Sequence, residues 1–189
     1  MLGTVGQAVG LFAVTNVDDI LVLALFFGQG GTVRKIAAGQ YLGFAGILVV
    51  AVAAAFGATF LPEAAVPYLG LLPIALGVKA AVQTWRHRGQ DEEQPAKTGV
   101  LPVAAVTFAG GGDNIGVYVP VFATEGVGGM SVYVLVFLVL VAVWVAAGRF
   151  LATRPAVAKA LSRWGHVLLP AVLIGIGTLI LVEGGAFGL

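Results

Sequence analysis

The sequence predicts an all-α integral membrane protein, with six transmembrane helices arranged as an inverted repeat of 3+3 helices and with N and C termini outside. Three observations predict it. The chain is 59% hydrophobic and only 10% charged over 189 residues, with a mean hydropathy of +1.02, whereas soluble domains carry about 25% charged residues. Its apolar residues fall into six runs, roughly 2 to 28, 36 to 60, 67 to 86, 100 to 123, 130 to 152 and 165 to 185. Runs of about 20 residues cross a bilayer as helices, and the short alternating segments of a β-barrel are absent from the sequence. Finally, the basic residues gather in alternate loops.

The first run has no basic stretch before it and is too long for a secretory signal, so it reads as a span. Arg34 and Lys35 follow it, Arg86, Arg88 and Lys97 separate runs three and four, and Arg149, Arg154, Lys159 and Arg163 separate five and six. By the positive-inside rule those three loops are cytoplasmic, and the loops carrying Glu63 and Glu125 lie outside. Lys79 falls toward the cytoplasmic end of run three, where its side chain can snorkel to the interface. There is no cysteine, which excludes disulfides and thiolate metal sites. Nothing in the charge pattern suggests nucleic acid.

Residues 87–98 are the only stretch with linker composition, and they divide the chain into a first three-helix repeat, 1–86, and a second, 99–189. The acidic run Asp91-Glu92-Glu93 belongs to that solvated linker. Leu71-Leu72-Pro73 and Leu168-Leu169-Pro170 stand at similar distances after the acidic patches at Asp18 and Asp113. With an odd number of helices per half, the second copy inserts upside down, as in transporters whose substrate sites lie near the midplane where repeats meet. Pro73 and Pro170 are expected to kink the third and sixth helices. The GxxxG pairs Gly6/Gly10 and Gly39/Gly43 serve either a homodimer or the bundle itself.

Two polar patches interrupt the apolar runs: Thr15-Asn16-Val17-Asp18-Asp19 and Gly110-Gly111-Gly112-Asp113-Asn114. One Asp at a helix centre costs roughly 2.5 to 3.5 kcal/mol, so three ionised and unpaired would cost on the order of 8 to 10. No cationic side chain is expected at that depth, which leaves a proton or a bound cation to neutralise Asp18, Asp19 and Asp113. Helical spacing puts Asn16 with Asp19, and Thr15 with Asp18, on shared faces. The triplet Gly110 to Gly112 weakens the helix before Asp113, and carbonyls released there would join the carboxylates as hard oxygen ligands. Gly112 and Gly116 also permit a close helix approach beside Asp113. Tyr118, four residues after Asn114, either presents its hydroxyl to the site or sits in an interfacial belt. Gln40, Gln83 and His166 fall near cytoplasmic ends, where a solvated residue needs no explanation, and Glu183 reads as an interfacial acid.

Thr15-Asn16-Val17-Asp18-Asp19-Ile20, together with Gly111-Gly112-Asp113-Asn114-Ile115-Gly116-Val117-Tyr118-Val119-Pro120, resembles the cadmium resistance transporters of the lysine exporter superfamily. The resemblance implies export of divalent cations, chiefly cadmium, across a prokaryotic cytoplasmic membrane. It also implies that Asp18, Asp19, Asp113 and Asn114 line the substrate path, with Thr15, Asn16, Gly111, Gly112 and Tyr118 beside them.

Cadmium prefers sulfur, yet the chain has no cysteine and its methionines, Met1 and Met130, lie outside the expected site. An oxygen site suits zinc or manganese as well, so low selectivity is expected. Export against an inside-negative potential costs about 2.3 kcal/mol per charge per 100 mV, on the order of 4 to 5 for a divalent ion. With no Walker motif to bind nucleotide, protons are the simplest counter-ion. No enzymatic activity and no resident cofactor are expected. Two alternatives remain. One is an amino-acid or quaternary-amine exporter of the same superfamily. The other is an intramembrane aspartyl protease, whose GxGD pattern Gly110 to Asp113 fits, although Val17 rather than Tyr precedes Asp18 and Pro170-Ala171-Val172 only approximates the partner motif.

Overall fold

A computed structural model describes residues 2–58, 60–86, 98–154, 171, 174–175, 177–182 and 186. Residues 87–97, which make up almost the whole expected linker, and most of the sixth run lie outside the described residues. So do Arg88, Lys97, Lys159, Arg163, His166, Leu168-Leu169-Pro170 and Glu183, and nothing is described of the Gln83 side chain.

Among the described residues the chain is all-helical. In order come α1 (Leu2–Thr15), α2 (Val17–Gly28), α3 (Val33–Ala58), α4 (Leu71–Arg86), α5 (Val100–Gly110) and α6 (Gly112–Ala152), with a 3-10 helix, Glu63–Gly70, leading into α4, and residues 177–182 are helical as well. Two of them, α3 and α6, are long and apolar enough to cross a membrane, and a third span is present if α1 and α2 count as one, bent by 56°.

The first run is therefore not one straight helix but two, parted at Asn16. Asn is a poor residue for a helix interior because its amide competes for nearby carbonyls. Here Asn16 Nδ2 donates to Phe12 O at 2.9 Å, and the Asn16 backbone N–H donates to the same oxygen at 3.0 Å. The α2–α3 connection is closed by a Schellman motif: Gly30, at φ 82°, lets Gly31 N–H reach Phe26 O and Gly30 N–H reach Phe27 O.

In the second half, run four is itself broken, and runs four and five are parted by a bend rather than by a loop. The break falls at Gly111, between α5 and α6, and no loop separates the two expected spans around Glu125. Gly126 alone, at φ 66° and ψ −179°, makes the bend inside α6. That backbone region is essentially restricted to glycine, so a single residue does the work expected of a loop. Pro73 is buried in the first turn of α4, where a proline's missing N–H sacrifices no intrahelical bond. Pro120 lies well inside α6, beyond its first turn.

α3 packs on both α5 and α6, while α1 and α2 pack on α6. Gly39 and Gly43 set the α3–α5 distance. A Cβ on Gly39 would stand 2.6 Å from Val100 O, and one on Gly43 would stand 2.6 Å from Ala104 O. This GxxxG pair thus serves the bundle, whereas a Cβ on Gly6 or Gly10 would meet nothing within 4 Å. The core between α1, α3 and α6 is aromatic. Phe12 packs edge-on to Phe44 at 5.4 Å and to Trp144 at 5.0 Å, and Tyr118 lies 4.7 Å from Phe137 between ring centroids. Met130 is buried in the same cluster.

Candidate functional site

Both helix breaks place acids in the first turn of the helix that follows: Asp18 and Asp19 in α2, Asp113 in α6. Unpaired N–H groups at a helix start carry partial positive charge, which stabilises a carboxylate by about 0.3 to 1 kcal/mol, up to about 2 when partly buried. Asn114 N–H, for one, donates to Asp113 Oδ1 at 2.9 Å. Against roughly 2.5 to 3.5 kcal/mol for each buried acid, the helix termini offset part of the penalty and leave the remainder to another positive charge. A count of cationic side chains along the sequence does not reveal this contribution.

Around the breaks, the structure joins Thr15, Asn16, Tyr118 and Asn114 in one buried network. Thr15 Oγ1 donates to Leu11 O at 2.9 Å. Its proton is thereby used, so the Tyr118 hydroxyl donates to Thr15 Oγ1 at 3.0 Å and accepts from Asn16 Nδ2 at 2.9 Å. Tyr118 is fully buried rather than interfacial. Trp144 Nε1–H donates to Asn16 O at 2.6 Å, replacing the helical partner that the break removes. Asn114 Nδ2 donates to Asn16 Oδ1 at 3.0 Å.

The polarity of this network follows from one fixed acceptor. Phe12 O can only accept, so Asn16 must turn its Nδ2 toward it and its Oδ1 toward Asn114. Asn114 must then answer with Nδ2, which leaves Asn114 Oδ1 buried without a hydrogen-bond partner. Unsatisfied buried polar atoms are uncommon in folded proteins, and each calls for an explanation.

A second network starts at Asp19. Gln40 Nε2 donates to Asp19 Oδ2 at 2.8 Å, and Thr107 Oγ1 donates to Gln40 Oε1 at 2.6 Å. Gln40 and Thr107 are each 3% exposed, which corrects the expectation that Gln40 is a solvated residue near a helix end. Asp18 and Asp113 both lie within electrostatic range of Asp19. Asp19 and Asp113 are half-buried and Asp18 is exposed.

The glycines divide by role. A Cβ on Gly111 would collide with the Ile47 side chain, so this glycine lets α3 pack against the break, while Gly110 and Gly112 have open space. The helix is interrupted at Gly111, yet helical bonds run through it: Gly111 N–H donates to Thr107 O at 3.1 Å, and Ile115 N–H donates to Gly111 O at 3.0 Å. Among the described residues, no group of three or more His, Cys, Asp or Glu side chains is clustered closely enough to hold a metal ion. Oxygen ligands beyond the carboxylates would have to come from amides and hydroxyls.

A family model described as cadmium resistance transporter matches residues 12–189, a range that takes in both breaks and both networks. The chain belongs to the cadmium resistance transporter family. No curated protein and no solved structure matches it. Within this chain, Gln40, Thr107 and Trp144 are the polar neighbours that sequence reasoning missed. The one signal in the sequence was Gln40 lying inside the Gly39/Gly43 stripe, which marks a buried helix face.

Proposed function

We propose that the protein is a secondary-active exporter of divalent heavy-metal cations, cadmium foremost, that exchanges them for protons across a prokaryotic cytoplasmic membrane. It crosses that membrane six times as an inverted repeat, with both termini outside. Asp19, Asp113 and Asn114 supply oxygen ligands to the transported ion, and the exposed Asp18 lies on its path. Thr15, Asn16 and Tyr118 hold Asn114, and Gly111 brings α3 against the site beside Gly112.

The observation that carries this reading is Asn114 Oδ1, a buried acceptor left without a donor on the turn that also bears Asp113. An amide oxygen is a hard ligand for a divalent cation. The repeat is supported by the matching breaks at Asn16 and Gly111, each followed at once by acids. It is further supported by the helix after Gly126 in α6, which is as long as α3.

Weak oxygen ligation suits an exporter, which must release its cargo, and it implies that zinc and manganese compete with cadmium. Metal and proton share the carboxylates because a ligand must lose its proton to bind metal.

Calorimetric titration of the purified protein with cadmium, zinc, manganese and lysine tests the site. Metal heats that disappear in Asp113→Asn are expected. Metal heats that survive remove Asp113 from the site, and heat with lysine alone turns the reading toward an amino-acid exporter. Proton exchange is tested in inside-out vesicles, where metal uptake that is unchanged after the proton gradient is collapsed at clamped potential refutes it.

A further inference from the structure

α3 contributes one buried polar side chain to the helix interior near the acids. Gln40 is 3% exposed and sits between Asp19 of α2 and Thr107 of α5. A glutamine amide has a donor end and an acceptor end, whereas an ionised carboxylate accepts only. With Nε2 toward Asp19 Oδ2 at 2.8 Å, the Oε1 end must receive a proton from elsewhere, and Thr107 Oγ1–H supplies it at 2.6 Å. Donation therefore runs one way, from Thr107 to Gln40 to Asp19.

The close approach of α3 and α5 makes this contact possible. A Cβ on Gly43 would stand 2.8 Å from Thr107 Cβ, so any larger residue there would push α5 and its hydroxyl away from Gln40.

We infer that Gln40 is a positioning residue for the transported cation: its amide, oriented by Thr107, holds one oxygen of the Asp19 carboxylate and so fixes how the carboxylate faces the ion. This rests on the reading that Asp19 is a ligand. The amide is neutral, so it orients Asp19 without cancelling the negative charge that the cation needs. A lysine at position 40 would form an ion pair and compete with the cargo. Thr107 acts on Asp19 only through Gln40, so the two side chains form a single unit and removing both should do no more than removing Gln40.

The test is cadmium transport by full-length protein in proteoliposomes, with half-saturation and maximal rate measured separately for wild type, Gln40→Leu, Thr107→Val, Thr107→Ser, the Gln40→Leu/Thr107→Val double variant and Asp19→Asn. A hydrogen bond to a charged group is worth enough that Gln40→Leu should raise the half-saturating cadmium concentration about tenfold or more, with the maximal rate held within about twofold. Thr107→Val should raise it less, Thr107→Ser should match wild type, and Thr107→Val should add nothing in the Gln40→Leu background. Unchanged half-saturation in Gln40→Leu, or effects that multiply in the double variant, overturns the proposal. If Gln40→Leu does not fold, the Thr107 pair decides: equal half-saturation in Thr107→Val and Thr107→Ser overturns it. Asp19→Asn separates the ligand from the residue that positions it. Wild-type transport by Asp19→Asn removes Asp19 as a ligand and the Gln40 role with it, whereas an inactive Asp19→Asn beside an unaffected Gln40→Leu overturns the Gln40 role alone.

Discussion

The side-chain amides of Asn16 and Asn114 meet at 3.0 Å, across 98 residues of chain, with Asn114 as the donor. This one contact joins the break between α1 and α2 to the first turn after the break between α5 and α6. Because Asn16 is oriented by Phe12 O, it also dictates which end of Asn114 faces away from the network.

Asn16→Asp should therefore be harmful although it is nearly isosteric. An ionised carboxylate cannot donate to Phe12 O, Thr15 Oγ1 or Tyr118 Oη, all of which Asn16 Nδ2 now contacts. The expected loss of stability is about 1 to 3 kcal/mol, read as a lower unfolding midpoint in detergent, and Asn16→Asp lacking that loss would show the network to be energetically idle.

Trp144→Phe isolates a single hydrogen bond. The ring keeps its apolar packing beside Phe12, but Asn16 O loses the indole donor at 2.6 Å. A buried carbonyl left unpaired costs about 1 to 3 kcal/mol, and the same thermal measurement should report a decrease in that range.

Two glycine substitutions should behave oppositely. Gly43→Ala places a methyl 2.6 Å from Ala104 O and should destabilise the fold, whereas Gly10→Ala has nothing within 4 Å and should be neutral or stabilising by up to about 1 kcal/mol through helix propensity. Comparable melting temperatures for the two variants would contradict the α3–α5 packing.

Gly126→Ala tests the bend inside α6. At φ 66° and ψ −179°, an alanine should cost on the order of 1 to 3 kcal/mol whatever space surrounds it. Unchanged thermal stability would mean that α6 has no bend there.

The acids and their flanking residues were legible in the sequence because a charge in an apolar run is expensive, and expense is visible in one dimension. Asp18, Asp19 and Asp113 were named on that ground and Thr15, Asn16, Asn114 and Tyr118 by their position or spacing beside the acids, and the structure joins those four neutral side chains through hydrogen bonds. Gln40 and Thr107 were not found because a neutral amide or hydroxyl is tolerated near helix ends. Their burial depends on how α3 and α5 register against each other, which no periodicity within either helix encodes. The bend at Asn16 was likewise missed. Glycine is the familiar helix breaker, and the triplet Gly110 to Gly112 points to Gly111, where α5 ends and α6 begins, but no such signal points to the asparagine amide that parts α1 from α2.

Gly39 and Gly43 mesh α3 with α5 so closely that there is no methyl-sized gap between them. Surfaces that interlock at that distance cannot slide past one another by the ångström or two of a shear motion without separating first. The proposed transport cycle would therefore carry α3 and α5 as a single piece, even though one comes from each half of the sequence. In the proposed inverted repeat, the line between parts that move and parts that stay would then cut across the repeat rather than follow it, with the bends at Asn16 and Gly126 as pivots.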